Sequence, residues 1–125
     1  MILVDTSIWI DLLRAKPRSF KPDDLSLYVT CGPIVQEVLQ GLKPGPASEA
    51  FRERFLALPV LCDPVPLDIC LSAADIFRSG RRRGLTIRSS MDCLIAAIAI
   101  EFSVPVWHRD RDFDAIAGFT SLELR

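Results

Sequence analysis

Five carboxylates stand in apolar settings where a charge is costly. Asp5 ends the short run Ile2-Leu3-Val4. Glu37 lies in "PIVQEVLQG", with Ile34 and Gly41 three and four residues away on the same helical face and Val38 beside it. Asp92 stands near the start of "SSMDCLIAAIAIEF", the most hydrophobic stretch of the chain. Asp110 and Asp112 follow the apolar run "VPVWH". An ionised carboxylate on an apolar face is expensive unless it is paired or bound to a metal. Acids converging from four segments cannot pair with one another, and a divalent cation resolves their repulsion. An all-oxygen ligand set points to Mg²⁺ or Mn²⁺ rather than zinc.

Each acid also has a plainer explanation. Ser89 and Asp92 have the S-x-x-D spacing of a capping box. Asp5 suits the cap of the helix that follows it, and Glu37 suits a solvated helix position. Asp110, Asp112 and Asp114 resemble the start of a calcium loop, but its sixth position is Ala115 where Gly is required. Its twelfth is Ser121 where Glu is required. Asp11, Asp23, Asp24, Asp63, Asp68 and Asp75 are expected at the surface or at caps.

The elements that would position these acids follow from periodicity. Residues 1–4 are expected as a strand and Thr6 to about Arg14 as a helix, with Ile8, Trp9, Leu12 and Leu13 at helical spacing. "RAKPRSFKPDD" is a loop and "LSLYVTCGP" a weak strand or turn. Pro33 opens a helix over 33–41 that Gly41 closes. Residues 47–58 are expected as a helix and "PVLCDPVP" as a short strand. A long helix over 67–83 ends at Gly84. Another runs from Ser89 or Ser90 to Phe102, apolar nearly all round and so buried. "VPVWH" is a parallel strand, "RDRDFDAIAGF" a turn and short helix, and "TSLEL" a last strand. Strands alternating with helices specify an α/β fold with a parallel sheet and right-handed crossovers. Ligands of such sheets bind beyond the carboxyl ends of the strands, which is where Asp5 and Asp110 fall.

Bulk properties bound the rest. The chain has 125 residues, half of them hydrophobic, and is expected to form one domain over 1–125 with no repeat or linker. Cys31, Cys62, Cys70 and Cys93 form no C-x-x-C pair and are expected as small buried hydrophobes in a reducing compartment. No secretory leader is evident, and no run approaches the roughly 18 apolar residues of a membrane helix. A cytoplasmic protein without a membrane partner is expected. Net charge is −1, which argues against a generic polyanion binder. The charges are segregated, however. "RSGRRRGLTIR" gathers Arg78, Arg81, Arg82, Arg83 and Arg88, while acids gather near the C-terminus. That division suits a phosphate ligand and a metal together.

"ILVDTSIWID", "IVQEVLQG", "SSMDCLIAAIAI" and "VWHRDRDFDAIA", in this order and at these spacings, resemble the PIN-domain ribonucleases. Within them they resemble the VapC toxins of bacterial toxin–antitoxin pairs. The resemblance spans essentially the whole chain. It implies a PIN-like three-layer α/β/α fold with a short, mostly parallel sheet. It also implies an endoribonuclease in which metal-activated water attacks an RNA phosphodiester. The catalytic and metal-binding acids carry over to Asp5, Glu37, Asp92 and Asp110, with Asp112 as a frequent extra ligand. Thr6 matches the small hydroxyl after the first acid, with Ser7 beside it. His108 departs from the pattern, which often has Thr or Ser there. It either orients water or phosphate, or is a strand-end residue without a catalytic part. Arg81, Arg82, Arg83, Arg88, Arg109 and Arg111 are candidates to hold RNA phosphates, or belong to a solvated helix end and loop.

The resemblance further implies a small VapB-like antitoxin as partner, and a homodimer. An apolar helical face of Phe51, Phe55, Leu58, Ile69 and Phe77 is expected at the dimer contact. Two rival functions remain in view. Aspartate-based phosphotransfer needs a second Asp two residues after the first, where Ser7 stands. Otherwise it needs a late Lys, and Lys16, Lys21 and Lys43 are all early. A non-catalytic RNA- or protein-binding module on the same scaffold would be expected to have lost one of the acids.

Overall fold

The computed structural model describes residues 1–14 and 22–125, so most of the loop expected over 14–24 lies outside the described residues. The elements in chain order are β1 (Ile2–Val4), α1 (Thr6–Arg14), a 3-10 turn (Pro22–Leu27), β2 (Tyr28–Cys31) and α2 (Gly32–Gln40). Then come α3 (Pro46–Leu56), β3 (Val60–Leu61), α4 (Leu67–Arg82), α5 (Ser90–Glu101), β4 (Val106–Trp107) and α6 (Arg111–Ala117). The sheet order is β3-β2-β1-β4. Every pairing is parallel, with Ile2 opposite Tyr28, Leu3 opposite Val106 and Thr30 opposite Val60. Helices flank this short sheet in the three-layer α/β/α arrangement expected from the sequence.

The chain runs from β1 outward through β2 to β3, then returns to place β4 on the other side of β1. The direction of winding therefore reverses between β1 and β4. In open parallel sheets a crevice forms at the carboxyl end of such a reversal. Asp5 leaves β1 and Asp110 lies three residues after β4, so both flank that crevice. The Asp5 N–H donates to the Trp107 carbonyl at 2.9 Å, which ties the two strand ends together.

One buried cluster holds the layers. Trp9 is fully buried and its Nε1 donates to the Val4 carbonyl at 3.0 Å, pinning α1 to β1. Its ring meets Tyr28 and Phe55 edge-on at centroid distances of 6.1 and 5.1 Å, a favourable aromatic geometry. On α5 the residues Ile95 to Ala99 are buried together. Helices α2, α4 and α6 all pack on it, which is why its sequence is apolar nearly all round. Helix α4 stops where expected. Gly84 takes φ +74°, and the Leu85 and Gly84 N–H groups bond back to the Gly80 and Arg81 carbonyls. This is a Schellman closure, in which only glycine is unstrained at the left-handed position.

Two expectations are corrected. The last strand over 120–124 reduces to a single parallel bridge between Leu124 and Val106. Thr120 Oγ1 donates to the Ile116 carbonyl and accepts from the Leu122 N–H, so a local turn takes the backbone first. The apolar face expected at a dimer contact is not available either. Phe55, Leu58 and Ile69 are buried in the chain's own core, with Phe51 and Phe77 packed against it.

Candidate metal centre

Three helix N-termini meet at the crevice, and each carries an acid. Asp5 precedes α1, Asp92 is the third residue of α5, and Asp110 caps α6. Unpaired N–H groups and the positive end of the helix dipole favour a carboxylate at each of these places. This explains how so many acids fold into one region.

The hydrogen bonds that hold them form a nearly continuous chain. Asp5 Oδ2 accepts from the Ser7 N–H at 3.0 Å and from Ser7 Oγ at 2.6 Å. Ser7 Oγ in turn accepts the Arg109 N–H at 3.1 Å, linking the first strand to the turn after β4. His108 Nδ1 accepts the Asp110 N–H at 3.0 Å, and Asp110 Oδ1 accepts the Asp112 N–H at 3.0 Å. Asp112 Oδ2 accepts from the Arg88 and Ser89 N–H groups at 2.9 and 3.1 Å, reaching across to the start of α5. Ser89 Oγ then accepts the Asp92 N–H at 3.3 Å. Thr6 Oγ1 donates to Glu37 Oε1 at 3.4 Å, joining α1 to α2.

For Asp5 and Asp110 the plainer explanation holds alongside the chemical one, whereas Glu37 is half-buried rather than solvated. Asp5 and Asp110 each cap a helix with one oxygen. The Ser89–Asp92 box is only half built. Ser89 caps, but its own N–H goes to Asp112 and not back to Asp92. Asp92 is 5% exposed, and its Oδ2 is buried without a hydrogen-bond partner among the described residues. An orphaned buried carboxylate oxygen calls for a cation.

Asp92, Asp110 and Asp112 offer carboxylate oxygens that all lie within 4.8 Å of one another. Asp5 and Glu37 stand outside this tightest group among the described residues, but their charges reach it. The Asp92 carboxyl is pushed up to about 8, first by burial, then by the charge of Asp110 and a hydrogen bond shared with it, then by Asp5 and Asp112. Glu37 is raised above the usual carboxylate range by burial first, then by the charges of Asp5 and Asp110, against the opposing Thr6 hydrogen bond. Five acids thus share one field that ordinary pairing does not neutralise. Cys31 and Cys93 are buried nearby, with their thiols pushed up to about 12 and about 11, by burial in the first place. Such thiols remain protonated and unreactive.

Residues 2–119 match the PIN domain. The chain belongs to the PIN-domain family. A VapC ribonuclease of Mycobacterium bovis is 37% identical to it over 98% of this chain and 96% of that protein. The ribonuclease VapC11 of Mycobacterium tuberculosis matches to the same extent. Among solved structures, VapBC2 of Rickettsia felis bound to a promoter DNA fragment superposes with a TM-score of 0.77 at 18% identity, covering 100% of this chain and 98% of that one. VapBC-1 of nontypeable Haemophilus influenzae gives 0.73 at 20% identity, covering 100% and 97%. These structural likenesses concern the fold.

The donor set of this PIN domain fits a hard divalent cation. Every offered atom is an oxygen, three acids are already grouped, and one oxygen is orphaned. The arginines are more dispersed than their sequence suggests. All six candidates are exposed, but Arg81 lies over the Phe77 ring and Arg83 over the Phe119 ring, at 5.0 and 5.3 Å. Arg82 donates to Ser79 Oγ, and Arg109 pairs with Asp11 at 2.8 Å. Asp11, expected at the surface or a cap, pairs with Arg109, and Ser89, expected only to cap, also binds Asp112. The helical offset of Asp11 from Ser7 was a signal for its place near the site. The bond from the Ser89 N–H to Asp112 spans 23 residues and left no local signal.

Proposed function

We propose that this chain, acting as one domain over residues 1–125, is the toxin of a VapBC-type pair. It is a divalent-cation-dependent endoribonuclease of the cytoplasm. The observation that carries this reading is the grouping of Asp92, Asp110 and Asp112 within 4.8 Å at the sheet's carboxyl edge. It lies in a chain 37% identical to named VapC ribonucleases along nearly its whole length.

Asp5, Glu37, Asp92 and Asp110 are the residues that would hold Mg²⁺ or Mn²⁺, with the second oxygen of Asp112 as a further ligand. Such an ion, when bound, supplies Lewis-acid stabilisation of charge on phosphate oxygens and a more acidic water. The chain's own groups do the positioning. Ser7 clamps Asp5 through Oδ2, Thr6 orients Glu37, and the three helix N-termini hold the acids ready. Arg88 and Arg111, exposed and next to the site in the chain, would hold flanking RNA phosphates. Arg81, Arg82, Arg83 and Arg109 extend the positive rim.

Solved structural neighbours include a member of the VapBC family of toxin–antitoxin systems from Mycobacterium tuberculosis and a toxin–antitoxin complex from Klebsiella pneumoniae, so a small VapB-like protein is the expected partner here. No helix among the described residues is long and apolar enough to cross a membrane.

Cleavage of single-stranded RNA by the purified chain, with and without chelator, tests the reading. Asp5→Asn, Glu37→Gln and Asp92→Asn should each lower the rate at least ~100-fold, since a displaced ion forfeits several kcal/mol of transition-state stabilisation. Undiminished cleavage in excess EDTA would sink it.

A further inference from the structure

The turn after β4 delivers two of the three grouped acids, yet its backbone is held largely by side chains. The Arg109, Asp110 and Asp112 N–H groups go to Ser7 Oγ, His108 Nδ1 and Asp110 Oδ1 in turn. His108 is the member that faces inward. Its side chain is only 7% exposed, its ring packs against Phe113 at 5.1 Å, and its Nε2 lies 3.5 Å from Asp114 Oδ1. With Nδ1 accepting a hydrogen bond, the ring proton of the neutral imidazole sits on Nε2, on the side of Asp114.

An acceptor that bonds the N–H two residues ahead is what a Ser, Thr or Asn side chain supplies in a side-chain-closed turn. In His108 the acceptor nitrogen is attached to Cγ, as Oδ1 is in asparagine. A histidine here therefore keeps the turn-closing bond while adding a ring that packs on Phe113.

We propose that His108 is a positioning residue for the acid site. By accepting the Asp110 N–H it sets the turn that brings Asp110 and Asp112 within reach of Asp92. The proposal rests on the metal reading for its consequence, but the turn itself can be followed without metal. An outer partner that orients ligands typically changes metal affinity by about 10–100-fold when it is removed.

The experiment compares the unaltered chain with His108→Asn, His108→Gln and His108→Leu. Asparagine keeps an acceptor on Cγ, glutamine moves it one bond further out, and leucine has none. Amide hydrogen exchange is followed in metal-free protein, with the buried α5 amides as an internal check on folding. Mn²⁺ affinity is measured by calorimetry on the same samples. The Asp110 and Asp112 amides should exchange faster in the Gln and Leu variants, and Mn²⁺ affinity should fall about tenfold or more. The Asn variant should stay within about threefold of the unaltered chain. Equal Mn²⁺ affinity in the Gln and unaltered proteins would overturn the proposal. So would an Asn variant as impaired as Gln. If the unaltered chain takes no Mn²⁺ while exchange still depends on residue 108, the metal reading falls and the turn-setting role stands.

Discussion

Asp92 concentrates the site's chemistry in one side chain. Burial and the charge of Asp110 raise its carboxyl from 3.8 to about 8 in the metal-free chain. The folded state therefore holds a proton that the unfolded state releases. Below about pH 4 both states are protonated and the group has no effect on stability. From about 4 to about 8 the unfolded state binds fewer protons, so stability falls as pH rises, by up to about 1.4 kcal/mol per unit. Above about 8 the slope ends. Asp92→Asn should flatten this slope and raise the melting temperature of metal-free protein at pH 8. A bound cation needs the ionised form, so Mn²⁺ affinity should rise through the same window and level off near pH 8. Thermal melts at several pH values, with and without Mn²⁺, would show both trends. An affinity independent of pH between 6 and 8 would refute the assignment.

At the scale of elements, short strands deliver acids and helix starts receive them. Each strand is only two to four residues long, so the acids sit close to the core and the caps that fix them are short-range. On β2, Thr30 is an exception to this satisfied pattern. It is 1% exposed, and its Oγ1 has no hydrogen-bond partner among the described residues. A buried unsatisfied hydroxyl costs about 1–3 kcal/mol. Thr30→Val keeps the shape and removes the hydroxyl, so it should raise the urea midpoint by an amount equivalent to about 1 kcal/mol. A lowered midpoint would mean that the hydroxyl has a partner, such as a buried water.

At the scale of the whole molecule, the apolar residues once expected at a dimer contact are part of the core. The surface left for a second copy is different. Leu67 and Leu71, one turn apart on α4, are 72% and 55% exposed, and Phe102 at the end of α5 is 43% exposed. A symmetric dimer through the Leu67–Leu71 face of α4 is the proposed assembly, because closed two-fold contacts are the commonest way to cover an exposed apolar patch. Leu67→Glu with Leu71→Glu should then give monomers that retain the metal site. Sedimentation at micromolar protein decides it: a monomeric unaltered chain, with and without RNA, rules the dimer out.

The sequence by itself determined the α/β class, the helices and the placing of acids just past the strands. Periodicity and cap chemistry are local, and local rules suffice for them. Thr6–Arg14 was legible from Ile8, Trp9, Leu12 and Leu13, and the end of α4 from Gly84. The tertiary structure alone decided which groups meet. It turned the Ser89 N–H away from Asp92 toward Asp112, and so left an Asp92 oxygen bare. It set Arg109 against Asp11, drew Phe55, Leu58 and Ile69 inward, and reduced the last strand to one bridge at Leu124. Each of these outcomes depends on contacts between segments far apart in the chain. Such contacts form only when the sheet order β3-β2-β1-β4 brings the segments together, and no spacing along the chain encodes that distance.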